Sequence, residues 1–86
     1  MSNFVSLSSG IPRDYVPVTP SDSTNNMGTS ISIGFYVTGA GVVIFTNDSG
    51  VDRTMTFAAN QFVPCVGVTR IKATGTTATG IFSAVI

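Results

Sequence analysis

The sequence lacks histidine, glutamate and tryptophan, and it has one cysteine and one leucine among 86 residues. Structural zinc sites need several Cys or His ligands, so this composition excludes them. A single cysteine also excludes an intrachain disulfide. Cys65 stands between apolar residues, which predicts a buried, unreactive thiol. The scarcity of Leu and Glu argues against a helical fold, in which both are normally common.

Charged residues are equally scarce. Four basic and four acidic residues give a net charge of zero. A nucleic-acid-binding protein needs clustered cations to neutralise phosphates, so this even balance argues against that class. The surface of a small monomer usually carries roughly a quarter to a third charged residues, whereas charged residues make up 9% of this chain. Such a surface is suited to contact with other protein.

Long apolar runs are also missing. No stretch approaches the ~20 residues of a transmembrane helix. The first residues do not form the basic start and apolar core of a signal peptide. We therefore expect a protein that is made in a host cytoplasm and has no membrane partner.

The sequence shows no arrangement of residues that would support catalysis. The aspartates lie apart along the chain, and no histidine is present to act as a base. Serines and threonines therefore have no group to activate them as nucleophiles. Asp48 and Asp52 flank one turn; they could form a Ca²⁺ site or a solvated turn, and calcium sites usually recruit more acids. We expect no enzymatic activity, no cofactor and no metal.

The residues that are abundant favour strands and turns. Val, Ile, Thr, Ser and Gly are common in the chain, and this mixture is typical of sheets joined by tight turns. About seven short segments with apolar or alternating character are separated by turn signals at close spacing. The sequence therefore predicts an all-β domain over residues 15–86, a small antiparallel β-sandwich or barrel.

Three segments give more detailed predictions. Every second residue from 31 to 37 is apolar, and we expect this face in the core: Ile31, Ile33, Phe35 and Val37. Residues 47–50 predict a hairpin loop with Gly50 in the left-handed region. Residues 66–80 predict a central hairpin with positive φ at Gly75. In its first strand Val68, Arg70 and Lys72 would share one face.

Residues 1–14 predict an extended N-terminal arm. Phe4, Val5 and Leu7 alternate with serines, and the Ile11–Pro12 pair restricts the backbone to extended conformations. The arm is too apolar for a segment surrounded only by water. It would lie either along its own domain or on a neighbouring subunit.

Two segments, residues 42–45 and 81–86, are apolar on both faces of a strand. A two-layer domain buries one face of each strand, so the second face predicts a subunit interface and an obligate homo-oligomer. The candidate interface residues are Phe4, Val5, Leu7, Val43, Phe45, Arg70, Lys72 and Phe82. Arg70 and Lys72 would either be solvated or contact acidic groups of a partner.

Three motifs resemble the spike-base protein family of tailed bacteriophages and gene transfer agents. They are VTPSD at residues 18–22, FYVTGAG at residues 35–41 and TRIKATGTTATG at residues 69–80. The resemblance covers about residues 15–86. It implies a small β-domain that assembles on the capsid surface of a virion.

The resemblance implies a capsid decoration or spike-base subunit that anchors a spike or fibre on the head. Its partners would be copies of itself, the major capsid protein and a spike or fibre protein. A pentamer at the capsid vertices is favoured, with a trimer as the alternative. Other open functions are tail or fibre attachment and a carbohydrate-binding β-sandwich module, for which Tyr15 and Tyr36 offer the rings with polar tips.

Overall fold

The computed structural model describes residues 11–28 and 31–86. Within these ranges the chain forms seven strands: β1 (Asp14–Pro17), β2 (Ser32–Gly39), β3 (Gly41–Asn47), β4 (Asp52–Phe57), β5 (Gln61–Pro64), β6 (Val68–Ile71) and β7 (Thr79–Val85). The predicted all-β class is confirmed. Most of the predicted arm, including Phe4, Val5 and Leu7, lies outside the described residues.

In the described part of the chain the strands form a sandwich of two antiparallel sheets. The four-stranded sheet has the order β1-β7-β2-β5, and the three-stranded sheet has the order β4-β3-β6. β1 lies at an edge of its sheet. Pro17 has no N–H to donate, and an edge strand tolerates this because it needs hydrogen bonds on only one side.

The connection between β3 and β4 is the predicted hairpin. Asn47 closes it with both its backbone and its side chain. Its carbonyl accepts from the N–H of Gly50 at 2.9 Å, and its side-chain oxygen accepts from the N–H of Ser49 at 2.9 Å and of Val51 at 3.0 Å. Gly50 has φ 80, which confirms the predicted left-handed position.

The predicted hairpin of residues 66–80 is wrong, because β6 and β7 belong to different sheets. Residues 72–78 instead cross between the sheets beside β3. The N–H groups of Lys72 and Thr77 each donate to a carbonyl of β3 at 2.8 Å. Gly75 does have positive φ, at 90, and an added Cβ would overlap the end of the Ile44 side chain. Small residues suit a crossing segment as well as a hairpin turn, so the local pattern does not separate the two.

A β-bulge changes which residues of β6 face the core. Thr46 pairs with Arg70 and Asn47 pairs with Val68, which leaves Thr69 as an extra residue. Val68 and Ile71 consequently both point inward and are buried. The prediction that Val68 shares a face with Arg70 and Lys72 is therefore wrong.

The core lies between the two sheets and is centred on Phe35. This ring is fully buried, with its centroid 5.5 Å from that of Phe45 and 5.6 Å from that of Phe57. Val37 is fully buried and Ile33 nearly so, which confirms most of the predicted inward face. Ile31 is 70% exposed, because it precedes β2, so its predicted burial is wrong.

The sequence predicts Val43 and Phe45 at a subunit interface, and the structure corrects this. Val43 is 0% and Phe45 is 5% exposed, and both belong to the core cluster. The strand alternates, so Val42 and Ile44 carry its other face, and both are half-buried. Cys65 packs against the core but is only partly buried. Its predicted burial is therefore confirmed only in part.

Candidate interaction surface

The outer face of the four-stranded sheet carries a row of aromatic and apolar side chains. The register pairs Pro17 with Phe82, Phe82 with Tyr36, and Tyr36 with Phe62, so one row crosses all four strands. Residues paired across a sheet lie on the same face. Phe35 next to Tyr36 points into the core, so the row must point outward.

A second row lies beside the first. It pairs Tyr15 with Ala84, Ala84 with Gly34, and Gly34 with Pro64. None of the residues in either row is charged. The two rows together are the aromatic face: Pro17, Phe82, Tyr36, Phe62, Tyr15 and Pro64, together with Ala84 and Gly34, which are themselves buried.

One shallow hollow opens on the aromatic face, and a second adjoins it at the edge of the sheet. Tyr15, Tyr36, Thr38 and Phe82 line the first, of about 290 Å³. The rings of Tyr15 and Tyr36 meet there edge to face, with centroids 5.9 Å apart. A second hollow of about 350 Å³ shares Phe82 with the first and continues past Pro17. An apolar surface of this kind, exposed on a small domain, is typical of a protein-interaction site.

The outer face of the three-stranded sheet is mixed in character, with the half-buried Val42 and Ile44 beside polar and charged side chains. Thr46 pairs with both Asp52 and Arg70, so these polar side chains share this face. The hydroxyl of Thr46 donates to Asp52 at 2.7 Å, and the Lys72 Nζ lies 3.7 Å from the other Asp52 oxygen. This face carries charges that favour contact with water, whereas the aromatic face carries none.

Arg70 binds a loop of its own chain. Its Nη2 donates to the side chain of Asn25 at 3.0 Å, and its Nη1 lies 3.5 Å from the carbonyl oxygen of Asp22. With Lys72 paired to Asp52, both predicted interface cations have partners within the described residues. Their contact with another subunit stays a prediction, and we do not include them in the aromatic face.

Residues 19–28 form a loop that covers the open edge of β6, and Asn26 holds it there. The Asn26 amide accepts from the N–H of Ile71 at 2.8 Å and donates to the Ile71 carbonyl at 2.9 Å. The side chain thus takes the place of a neighbouring strand. Covering an edge in this way protects a sheet against pairing with other chains.

Asp22 fastens the same loop to the segment that crosses between the sheets. One of its oxygens accepts from the N–H groups of Ala73 and Thr74, at 3.0 and 2.9 Å, and the other accepts from the Thr74 hydroxyl at 2.6 Å. The bonds from Thr74, first from its hydroxyl and then from its N–H, hold the pKa of Asp22 below its usual value. Desolvation raises this pKa, with an effect smaller than that of either Thr74 bond, while the N–H of Ala73 and the charge of Lys72 lower it by still smaller amounts.

We expect Asp22→Asn to make the stability of the domain less sensitive to acid. A carboxyl whose pKa is lower in the folded state stabilises the fold fully above its unfolded pKa, about 3.9. That contribution is lost as the pH falls through the depressed folded value. Thermal melting of the wild type from neutral pH down to about pH 2 should show this loss, and the amide variant should lack it.

The matched control is Asp48→Asn, which changes an exposed carboxylate in the hairpin turn. It should keep the acid sensitivity of the wild type. The same acid sensitivity in Asp22→Asn as in the wild type would contradict the role of Asp22.

Within residues 11–28 and 31–86, no three Cys, His, Asp or Glu side chains come together as metal ligands. Asp52, one of the two aspartates considered for calcium, is engaged with Thr46 and Lys72. In the same ranges no helix has the length and apolar character that a membrane crossing requires.

Sequence reasoning found one residue of the aromatic face and missed most of the others. Of the predicted interface residues, Phe82 lies on it. Tyr15, Tyr36 and Phe62 were not among them. A signal was present, because Tyr36 alternates with the buried Phe35 and Val37 and must therefore point away from the core.

Comparison with known proteins identifies a relative. No protein-family model matches the chain, and no curated protein matches it. Among solved structures, a chain in the capsid of a native gene transfer agent particle, computed with fivefold symmetry, matches with a TM-score of 0.71 and 30% identity. The match covers 84% of this chain and 82% of that chain. The chain therefore belongs to the family of that gene transfer agent capsid component and is a virion structural protein.

Proposed function

We propose that this protein is a capsid decoration or spike-base subunit. It assembles with copies of itself on the head of a virion-like particle and anchors a spike or fibre there. The observation that carries the proposal is the aromatic face, an uncharged surface across four strands of a domain related to a capsid component.

The contrast between the two outer faces supports self-assembly. One outer face is aromatic and uncharged, while the other combines Asp52, Arg70 and Lys72 with threonines and the half-buried Val42 and Ile44. A subunit with this asymmetry gains most by covering the first face and leaving the second in water. The relative comes from a capsid computed with fivefold symmetry, which favours a pentamer at a vertex over a trimer.

A second patch, with both apolar and polar side chains, is available for another partner. Ile31 is 70% and Val66 is 77% exposed, and both line a hollow of about 320 Å³ that also contains Met27. This patch is separate from the residues that form the aromatic face. We assign it to the major capsid protein, which leaves the rest of the assembled ring for the spike or fibre.

A variant of the aromatic face should lose self-assembly. We expect Phe82→Asp to weaken the oligomer about 30-fold or more, since truncating a central interface residue costs ~2 kcal/mol or more. Light scattering of the purified protein at micromolar concentration measures this. Tyr15→Ser, at a more exposed position, should act in the same direction with less disturbance of the fold.

The matched control is Val51→Asp, which changes an exposed apolar residue in the β3–β4 hairpin. It should assemble like the wild type. A compact wild-type monomer would overturn the homo-oligomer, and so would unchanged assembly of both aromatic-face variants.

The proposed position on the particle is tested with heads that lack this protein. Purified protein should bind such heads and appear in electron cryomicroscopy as density at the fivefold vertices. Particles without it should also lack their spikes or fibres. Density on the tail would instead identify a tail attachment protein, and no binding to particles would overturn a head role.

A carbohydrate-binding role is the candidate from another functional class. The structure does bring Tyr15 and Tyr36 together over a hollow, as sugar stacking would need. However, Thr38 is the only other polar residue that lines this hollow in the described part of the chain, and sugar sites also need several hydrogen-bonding groups. Glycan-array binding that Tyr36→Ala abolishes would favour this alternative.

A further inference from the structure

We propose that the N-terminal arm of a neighbouring copy covers the aromatic face, with Val5 and Leu7 in the two hollows beside Phe82. This inference rests on the homo-oligomer in the proposed function and names the segment that joins its subunits. Two observations support it: the arm and the aromatic face are both apolar and uncharged, and the two hollows share the ring of Phe82.

The arm and the aromatic face match in chemistry. Residues 1–10 contain Phe4, Val5 and Leu7 and no charged side chain. The two rows of the aromatic face also contain no charged side chain. Contact between them would therefore bury apolar surface without removing a charge from water, which is the favourable case for association.

The arm can present two aliphatic side chains on one side. In an extended segment Val5 and Leu7 project from the same face, ~7 Å apart. The hollow lined by Tyr15, Tyr36 and Thr38 and the hollow that continues past Pro17 share the ring of Phe82. We therefore place these two side chains beside Phe82.

The backbone changes direction just before β1. The N–H of Arg13 donates to the carbonyl of Val85 at 2.6 Å, and the chain bends at Ile11 and at Arg13. β1 therefore does not continue straight into the arm, and the choice of a neighbouring copy rests on the proposed homo-oligomer.

The arm is long enough to cross an aromatic face. When extended, residues 1–10 span up to ~33 Å. The four strands of the aromatic face lie ~4.8 Å apart, so crossing the face takes ~15 Å. An extended arm can therefore span all four strands of one such face.

Disulfide trapping of the full chain tests the inference. Leu7→Cys is combined with Thr38→Cys, beside the first hollow, after removal of the native thiol by Cys65→Ala. On mild oxidation we expect loss of the monomer band and a ladder of covalent dimers and larger species. The matched control pairs Leu7→Cys with Thr54→Cys, an exposed threonine of the opposite sheet, and should stay monomeric on the gel.

A second variant tests the same contact without cross-linking. Replacing Phe4, Val5 and Leu7 by serine changes no residue of the described core and should abolish the oligomer while leaving the melting of the monomer unchanged. A disulfide between the two cysteines of one chain, identified by mass spectrometry in the monomer band, would overturn the exchange between subunits.

The outcomes separate this inference from the proposed function. An oligomer without cross-links, or one that the triple serine variant retains, would overturn the role of the arm but keep the homo-oligomer. A wild-type monomer would overturn both the arm exchange and the homo-oligomer. Binding to heads at the vertices would still support a head role in either case.

Discussion

Phe35→Ala should unfold this domain or bring it close to unfolding. The ring is fully buried between the sheets and contacts Phe45 and Phe57. Truncating a buried phenylalanine removes ~3–5 kcal/mol of stability, because the cavity it leaves is only partly refilled. Whole domains have ~5–15 kcal/mol in total, and a chain of 86 residues has a small core.

Chemical denaturation and thermal melting measure this loss. If the variant still folds, its melting temperature should fall by about 10 °C or more. The matched control is Phe62→Ala, the same substitution at a half-buried position on the aromatic face, which should cost much less. Equal losses in the two variants would mean that the core is not centred on Phe35.

Gly34→Ala should be nearly as damaging, although it adds only a methyl group. Gly34 has φ 154 and lies at the irregularity of β2, where the register shifts after Ser32. A Cβ here would overlap the carbonyl oxygen of Val63 in β5, which is backbone and cannot rotate away. We expect a loss of about 3 kcal/mol or more, from backbone strain together with displacement of β5.

Hydrogen exchange locates the damage from Gly34→Ala. The amide of Cys65, which donates to the carbonyl of Ile33, should lose protection first as β5 detaches. Gly50→Ala is the matched control: φ is 80 there, but nothing lies within 4 Å of the added carbon. It should show only the strain of a left-handed residue, about 1–2 kcal/mol. If the two variants were equally stable, the close approach of β5 would not matter.

The asymmetry between the two outer faces has a consequence for assembly. A ring that covers the aromatic face leaves the charges of Asp52, Arg70 and Lys72 in water. Lys72 and Asp52 pair with each other, and Arg70 donates to oxygens of its own loop. Charges outside the aromatic face add little to a contact made through it. Self-assembly should therefore depend only weakly on salt, as expected for apolar contacts.

The sequence by itself determined the features that depend on local conformation. The all-β class followed from strand-forming residues and close turn signals, and Pro17 indicated an edge strand because it lacks an N–H. Gly50 and Gly75 were correctly expected at positive φ. Each of these properties is decided by a residue and its immediate neighbours, so no distant contact is needed to predict it.

Only the tertiary structure decided which strands pair and which faces meet. β3 is apolar on both faces, so alternation could not choose Val43 and Phe45 over Val42 and Ile44 for the core. In β6 the extra residue Thr69 turned the side chain of Val68 from the outer face to the core, and this depends on the pairing with β3. The register between strands is set by which side chains can be buried together.

The aromatic face shows the same limit most clearly. It is assembled from Tyr15, Tyr36, Phe62 and Phe82, which belong to four different strands. In the sequence these four rings lie far apart from one another, and Phe82 alone stands in a run that is apolar on both faces. They become one surface because the order β1-β7-β2-β5 and its register place three of them in a single row with Tyr15 beside it. That arrangement depends on contacts between residues far apart in the chain, which no local periodicity records.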